Sequence, residues 1–149
     1  MNLKIDCLGH GNRDHPELMF IGERPGAKEL ETGHPFVGRA GKFLDKQLEK
    51  IGIKREDCYI TNVVKSYAEG NKPPTDEEIR AYLPILEKEI DEIKPEIIVL
   101  LGKTASRNVP ARAPYTYLEL PHPSAAMRFT KQRIKFEQGM ERLKQLLKD

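Results

Sequence analysis

EIIVLLG, at residues 96–102, is the stretch that decides the fold. After Glu96 it is an unbroken run of apolar residues that ends at a glycine, which is typical of a strand buried on both faces. Two further stretches have the same character, ELMFIG at 17–22 and CYITNVV at 58–64. Strands of this kind occur in parallel sheets that helices cover on both sides. A fourth stretch, YTYLEL at 115–120, predicts a half-exposed strand.

Helical patterns alternate with these strands. Apolar residues fall at helical spacing from Arg39 to Ile51, where Gly52 supplies a stop. A longer helix is expected to begin at a capping box made by Thr75 and Glu78. Pro84 lies inside that helix, so we expect it to kink the helix or split it in two.

The alternation continues to the end of the chain. A short helix is expected from Lys103, and a last helix carries apolar residues between Ile134 and Leu147. This order predicts an α/β protein, a three-layer α/β/α sandwich with a central four-stranded parallel sheet. We expect residues 1–149 to form a single domain.

Composition narrows the class of protein. No stretch approaches the roughly 18 apolar residues that a membrane span needs, and the first residues lack a signal pattern. We therefore expect a soluble, cytoplasmic protein. We also expect a monomer, although composition does not bear on the oligomeric state. The two cysteines and four histidines show no metal-ligand spacing, so we predict no metal site. Cys58 is expected in the core and Cys7 at the surface.

Charge is unevenly distributed along a chain whose net charge is only +2. Residues 76–96 hold eight acidic and three basic side chains, whereas residues 103–136 hold seven basic and one acidic. A basic third of this kind can present a positive face to a polyanion such as DNA, although solvated surface charge gives the same pattern. Residues 128–135 in particular resemble a phosphate-binding helix entrance.

Unusual residues follow the strands at the edge where parallel sheets bind ligands. Residues 22–26 form a glycine-rich turn that can approach a ligand closely, as an ordinary turn also does. Phe36, in a loop, can stack on a planar base or pack in the core. The Asn62 carboxamide can read a base edge or bond local backbone. His122, between two prolines, is either a preorganised donor or a turn residue.

Taken together, these segments resemble the uracil-DNA glycosylase superfamily, and in particular its thermostable iron–sulfur branch, family 4. The matching text is LMFIGERPG at 18–26, GHPFVGRAGK at 33–42, YITNVVK at 59–65, GNKPP at 70–74, LGKTA at 101–105, and HPS at 122–124 followed by Arg128.

The resemblance implies a role for each matching residue in the base pocket. Phe36 stacks on a base flipped out of DNA, and Asn62 reads its Watson–Crick edge. His122 donates a hydrogen bond to the 2-oxygen of the departing base, while Glu23 positions or polarises the attacking water. Gly22 and Arg24 complete the base pocket.

The resemblance also implies contacts with DNA outside the pocket. The expected contact residues are Lys65, Ser124, Met127 and Arg128. The family places a bulky leucine near Ala126 to plug the gap that a flipped base leaves. Here either Met127 does so one position later or the plug is weak. Arg24 fills a position that is small in the iron–sulfur branch, and we expect it to steady a base anion or contact a phosphate.

The cysteines depart from the family pattern. The resembled branch holds a four-cysteine cluster, but Ser66 and Tyr82 stand where two of those cysteines are expected. Because Cys7 alone cannot hold a cluster, we predict a cofactor-free protein in which packing around Tyr82 replaces the cluster.

The leading hypothesis is therefore a monofunctional glycosylase that removes uracil from single- or double-stranded DNA and leaves an abasic site. A glycosylase for another deaminated base, such as hypoxanthine or xanthine, is the first alternative. A non-catalytic lesion-binding module on the same fold is the second, and a nucleotide-binding α/β protein is the third. Asn62 favours uracil, because its amide can pair with both O4 and N3.

Overall fold

The structure is a computed structural model that describes residues 3–148. Within these residues the strands are β1 (His10–Gly11), β2 (Leu18–Gly22), β3 (Tyr59–Asn62), β4 (Ile97–Leu101) and β5 (Thr116–Leu120). The α-helices are α1 (Ala27–Thr32), α2 (Arg39–Lys50), α3 (Asp76–Ile93), α4 (Lys103–Asn108), α5 (Pro123–Arg128) and α6 (Thr130–Lys148). Short 3-10 turns span Arg55–Asp57 and Glu69–Asn71.

The strands form one sheet in the order β1-β3-β2-β4-β5. Strands β3, β2, β4 and β5 are parallel, with Phe20 opposite both Ile60 and Val99, which confirms the predicted parallel arrangement. Strand β1 pairs antiparallel with β3, so the sheet has five strands and is mixed rather than four-stranded and parallel. A strand of two residues carries no hydrophobic alternation, which is why the sequence pattern missed it.

Helices cover both faces of the sheet. Successive strand residues point to opposite faces, so Phe20 and Val99 pack in one cluster with apolar residues of α2 and α6. Met19 and Ile98 pack in a second cluster with apolar residues of α3. Each fully buried side chain of this size contributes about 1.5–3 kcal/mol, and the two clusters together hold the three layers in place.

Helix α3 is continuous from Asp76 to Ile93, so Pro84 does not split it. Pro84 is exposed, and the carbonyl that loses its hydrogen-bond partner to the proline can be solvated there. The predicted capping box is present, because the Glu78 N–H donates to Thr75 Oγ1 and the Thr75 N–H donates to the Glu78 carboxylate. No helix described between residues 3 and 148 is long and apolar enough to cross a membrane.

The carboxyl ends of the parallel strands meet at one edge of the sheet. Residues 23–26 follow β2 there, Asn62 ends β3, Gly102 follows β4, and His122 lies just beyond β5. The fold thus gathers at one edge four segments that are far apart along the chain.

Candidate functional site

Gly22 is the point on which the candidate site converges. It pairs with Asn62 across β2 and β3. A β-carbon at position 22 would lie 2.5 Å from Cζ of Phe36 and 2.6 Å from Oδ1 of Asn62. Real β-carbons do not approach other atoms so closely, so only glycine lets the phenyl ring and the carboxamide meet at this point.

The His122 imidazole completes this group. Its ring is stacked on Phe36 with a centroid separation of 5.7 Å and an interplanar angle of 29°. We call the space bounded by Gly22, Phe36, Asn62 and His122 the slot. At this separation the two rings contact each other, so a third ring cannot lie between them unless they move apart.

The environment of His122 sets its protonation state. Burial lowers the pKa of its imidazole to about 4, with a smaller opposing effect from the Glu29 carboxylate. The imidazole is therefore neutral near pH 7. The Ser124 N–H donates to Nδ1 at 3.1 Å, so Nδ1 carries a lone pair and the single ring proton lies on Nε2. His122 thus offers one neutral N–H donor.

Gly102 allows His122 to sit close to the end of β4. A β-carbon at Gly102 would lie 2.9 Å from Cβ of His122. The Gly102 φ of +90° is also one that side chains rarely adopt. The main chain is fixed there by a hydrogen bond from the Gly102 N–H to the Leu120 carbonyl at 2.8 Å. This contact ties the loop that carries His122 to the sheet.

The Asn62 carboxamide is buried but has no hydrogen-bond partner among residues 3–148. The residue is 3% exposed, yet no group among residues 3–148 bonds its side chain. Every fully enclosed side-chain nitrogen or oxygen in that part of the chain has a hydrogen-bond partner. The Asn62 amide atoms have none, so they are not fully enclosed. The amide atoms therefore keep access to the slot, and they can exchange water for a ligand that presents both a donor and an acceptor.

A cavity of about 600 Å³ opens beside the slot. Glu23, Phe36, His122, Ser124 and Arg128 are among the residues that line it. Glu23 and His122 also border a second groove, so both cavities share these two residues. Among residues 3–148 no partner bonds the Glu23 carboxylate, which leaves it able to orient a water molecule.

Lys65 does not occupy the position predicted for it. Its side chain is 2% exposed, which prevents contact with a DNA phosphate. The ammonium group donates to Glu89 Oε1 at 2.6 Å, to Thr61 Oγ1 at 2.5 Å and to the Asn62 carbonyl at 2.7 Å. Burial lowers its pKa, and the Glu89 carboxylate opposes that effect. Lys65 therefore fixes the main chain of Asn62 through the hydrogen bond to its carbonyl.

Arg24 also differs from its predicted role. Its guanidinium donates to the Glu78 carboxylate at 2.9 Å, to the Ser66 carbonyl at 2.9 Å and to the Lys72 carbonyl at 3.2 Å. The side chain is nearly buried in these contacts, so it is not directed at a base or a phosphate. The hydrogen bond from Arg24, together with that from the Thr75 N–H, lowers the pKa of Glu78. Arg24 borders the cavity but serves to join β2, the loop after β3 and α3.

The predicted DNA-contact residues on α5 differ in exposure. Ser124 and Arg128 are exposed, Met127 is half-buried, and Ala126 is fully buried. Phe129, at the end of α5, is 57% exposed and borders the second groove together with basic residues of α4 and α6. The sequence prediction missed Phe129, although an aromatic residue inside the basic stretch was a visible signal.

The cysteine positions of the resembled branch do not fit an iron–sulfur cluster here. Such a cluster needs four thiolates, and the chain has two cysteines. The Ser66 hydroxyl accepts a hydrogen bond from Arg24, and the Tyr82 hydroxyl donates to the Lys4 carbonyl. Cys7 is buried rather than at the surface, and burial raises the pKa of its thiol to about 11. The described residues also contain no metal-binding group of three or more His, Cys, Asp or Glu.

The fold and the slot define an α/β protein that presents an aromatic ring, a free carboxamide and a neutral imidazole at the ligand-binding edge of its sheet. Comparison with known proteins identifies the family. The model of the Uracil DNA glycosylase superfamily matches residues 8–148, and the chain belongs to that superfamily.

Curated relatives are similar to part of this chain. The type-4 uracil-DNA glycosylase of Thermotoga maritima is 49% identical over 98 residues, which are 66% of this chain and 50% of that protein. The enzyme of the same name from Archaeoglobus fulgidus is 44% identical over 99 residues, 66% of this chain and 49% of that protein. The chain spans about half the length of these curated relatives. These similarities confirm the resemblance noted in the sequence.

Proposed function

We propose that this protein is a DNA glycosylase that flips uracil out of DNA and hydrolyses its N-glycosidic bond, leaving an abasic site. The observation that carries the proposal is the slot, in which Phe36 and Asn62 meet over Gly22 and the His122 ring lies against Phe36. Membership of the superfamily and the similarity to type-4 uracil-DNA glycosylases support it.

Base recognition in this proposal uses stacking and one carboxamide. A base flipped out of the helix stacks on Phe36, and stacking on an aromatic side chain is worth roughly 1–3 kcal/mol. The Asn62 amide donates to O4 of uracil and accepts from its N3–H. Because Phe36 and His122 contact each other in the free protein, a base that enters on that side displaces the imidazole from the ring face toward the edge of the base.

Bond cleavage relies on the neutral imidazole. As the glycosidic bond breaks, positive charge develops on the sugar and negative charge on the base. After this displacement the Nε2–H of His122 donates to the 2-oxygen of the base as that charge builds, and one donor aimed at developing charge contributes roughly 3–4 kcal/mol. Glu23, whose carboxylate has no partner among residues 3–148, orients the water that attacks the sugar.

The product in this proposal is an abasic site on an intact strand. A combined glycosylase and lyase reaction needs an amine that can form a Schiff base. Lys65 is the lysine that follows Asn62, and its ammonium is occupied by Glu89, Thr61 and the Asn62 carbonyl. DNA binding falls to the exposed Ser124 and Arg128, which line the cavity beside the slot, and to Phe129, which borders the second groove.

The absence of an iron–sulfur cluster is also proposed. In its place, Arg24 links Ser66 to Glu78 of α3, and Tyr82 links α3 to the N-terminal segment. Iron and sulfide analysis of protein purified without oxygen checks this, and we expect neither element. Stoichiometric iron with a visible cluster absorption would show the proposal to be wrong.

The test of activity uses oligonucleotides with a single uracil, as a single strand and opposite guanine or adenine, followed by alkali. We expect strand breaks only after alkali and none with thymine in place of uracil. Parallel substrates with hypoxanthine or xanthine distinguish the first alternative. If no substrate is cleaved but lesion DNA binds under single-turnover conditions, the protein is a binding module instead.

A further inference from the structure

Phe36 has a main-chain conformation that its side chain disfavours. Its φ is +53°, in the left-handed region that non-glycine residues rarely adopt. Such a conformation costs of the order of 1–3 kcal/mol and persists only where neighbouring groups enforce it. The loop from Gly33 to Gly38 has no regular secondary structure of its own, so the groups that hold Phe36 must come from elsewhere.

Arg55 holds the loop from outside the slot. Its guanidinium donates to the main-chain carbonyls of both Pro35 and Phe36. The same group donates to Asp45 of α2 at 3.1 Å, which fixes its orientation. A planar guanidinium that bonds two consecutive carbonyls determines where the peptide between them points. Arg55 itself lies in the turn before β3 and is not among the residues that line the cavity.

Glu29 holds the other side of the same loop. Its Oε2 accepts from the N–H groups of Val37 at 3.0 Å and Gly38 at 2.9 Å. Its Oε1 accepts from the N–H of Gly26 at 2.8 Å. One carboxylate thus joins the loop that follows β2 to the loop that carries Phe36. Both carboxylate oxygens accept from main-chain N–H groups. Although Glu29 borders the cavity, we therefore expect it to fix the two loops rather than to bind a ligand.

Gly41 provides the space that this conformation requires. A β-carbon at Gly41 would lie 1.6 Å from the Phe36 carbonyl oxygen. The first turn of α2 therefore accepts the Phe36 carbonyl only because position 41 has no side chain. The oxygen is then directed toward Arg55, and the phenyl ring toward Gly22 and His122.

We propose that Arg55 and Glu29 are positioning residues that clamp the Phe36 loop and so preset the ring for stacking on the flipped base. Neither residue bonds the base in this proposal, which rests on the glycosylase function proposed above. Glu29 also holds the loop that follows β2, whereas Arg55 is expected to contribute to catalysis only through Phe36. That requirement separates it from general support of the fold.

The first test is a double-mutant cycle on uracil excision. We expect Arg55→Ala to lower kcat/KM about 10- to 100-fold, mainly through KM, since stacking is worth roughly 1–3 kcal/mol. In a Phe36→Ala background the same change should cost less than about threefold, because the ring it positions is gone. Arg55→Lys should recover part of the loss, and Lys46→Ala, an exposed cation on α2, should have no effect. An equal loss in both backgrounds would overturn the proposal.

The second test does not need activity. The Phe36 ring lies over the His122 imidazole, so its ring current shifts the His122 ring proton resonances in the free protein. We expect Arg55→Ala and Glu29→Gln to reduce that shift, and Glu31→Gln, an exposed neighbour on α1, to leave it unchanged. An unaltered His122 spectrum in a folded Arg55→Ala protein would disprove the clamp even if the glycosylase proposal holds. A lost shift in a protein that excises no base would support the clamp and reject the glycosylase proposal.

Discussion

Asn62 and Lys65 are three residues apart, yet the Asn62 amide is left without a hydrogen bond among residues 3–148 whereas the Lys65 ammonium makes three. In the slot, the Asn62 amide and the Nε2–H of His122 have no partner among residues 3–148. Beneath it, Lys65 and Glu89 form a polar cluster with Tyr59 and Thr61 in which each side chain is hydrogen-bonded. Unpaired polar groups are costly to bury, so those that remain unpaired are the ones available to a ligand. The paired groups support the main chain that carries them.

The largest expected effect comes from breaking the polar cluster. Lys65→Ala leaves the Glu89 carboxylate without its cation in a largely buried position, so we expect a loss of about 3–5 kcal/mol in the free energy of unfolding. Urea denaturation measures it. The double variant Lys65→Met with Glu89→Leu should cost less than Lys65→Ala alone, because no unpaired charge remains.

The same variants test whether Lys65 contacts DNA. A phosphate contact contributes about one unit to the slope of log affinity against log salt. We expect Lys65→Met, in the Glu89→Leu background, to leave this slope unchanged, and Arg128→Ala to reduce it. A reduced slope in the Lys65 variant would restore the contact predicted from the sequence.

The next largest effect concerns His122, whose Nε2–H is one of the unpaired groups in the slot. We expect His122→Ala to lower the single-turnover rate of uracil excision by about 10²–10³-fold while affinity for uracil DNA survives, because the lost donor acts on charge that appears only during bond cleavage. His15→Ala, at an exposed histidine distant from the slot, is the matched control. Similar rates for His122→Ala and the parent would remove His122 from the mechanism.

Stability should depend on pH through the same histidine. The His122 pKa is about 4 in the folded protein and about 6.5 in an unfolded chain. The unfolded chain therefore takes up a proton first as the pH falls. His122 makes its full contribution to the free energy of unfolding above pH 6.5. Between pH 6.5 and 4 that contribution falls by up to about 3 kcal/mol. Urea denaturation of the parent and of His122→Gln at several pH values isolates the histidine contribution. The carboxylates titrate in both proteins, so their effect cancels in the difference. Parallel profiles would contradict the burial of this imidazole.

The difference between the two regions also explains what sequence could predict. The sequence predicted the four parallel strands and the segments that form the slot, because apolar runs and glycine-rich loops report directly on burial and turns. It predicted neither β1 nor the order of the strands in the sheet. The environments of Lys65 and Arg24 were not, because a cation on a strand end looks the same whether it meets a phosphate or a buried carboxylate. Their partners, Glu89 and Glu78, lie on α3, and nothing local to either cation indicates that pairing.

The smallest expected effect distinguishes two hydrophobic residues at the C-terminal end of α5. Met127 was predicted to fill the gap left by a flipped base, but it is half-buried, whereas Phe129 is exposed beside the second groove. The carbonyls of Ala126 and Met127 accept from Arg133, which fixes the turn that presents Phe129. We expect Phe129→Ala to reduce excision from duplex DNA about 5- to 100-fold, in line with roughly 1–3 kcal/mol for an aromatic–base contact, and excision from single strands much less. Met127→Ala should change the ratio of the two rates by less than about twofold. If instead Met127→Ala lowers that ratio and Phe129→Ala does not, the sequence-based assignment is correct and the exposed aromatic ring has no part in opening the duplex.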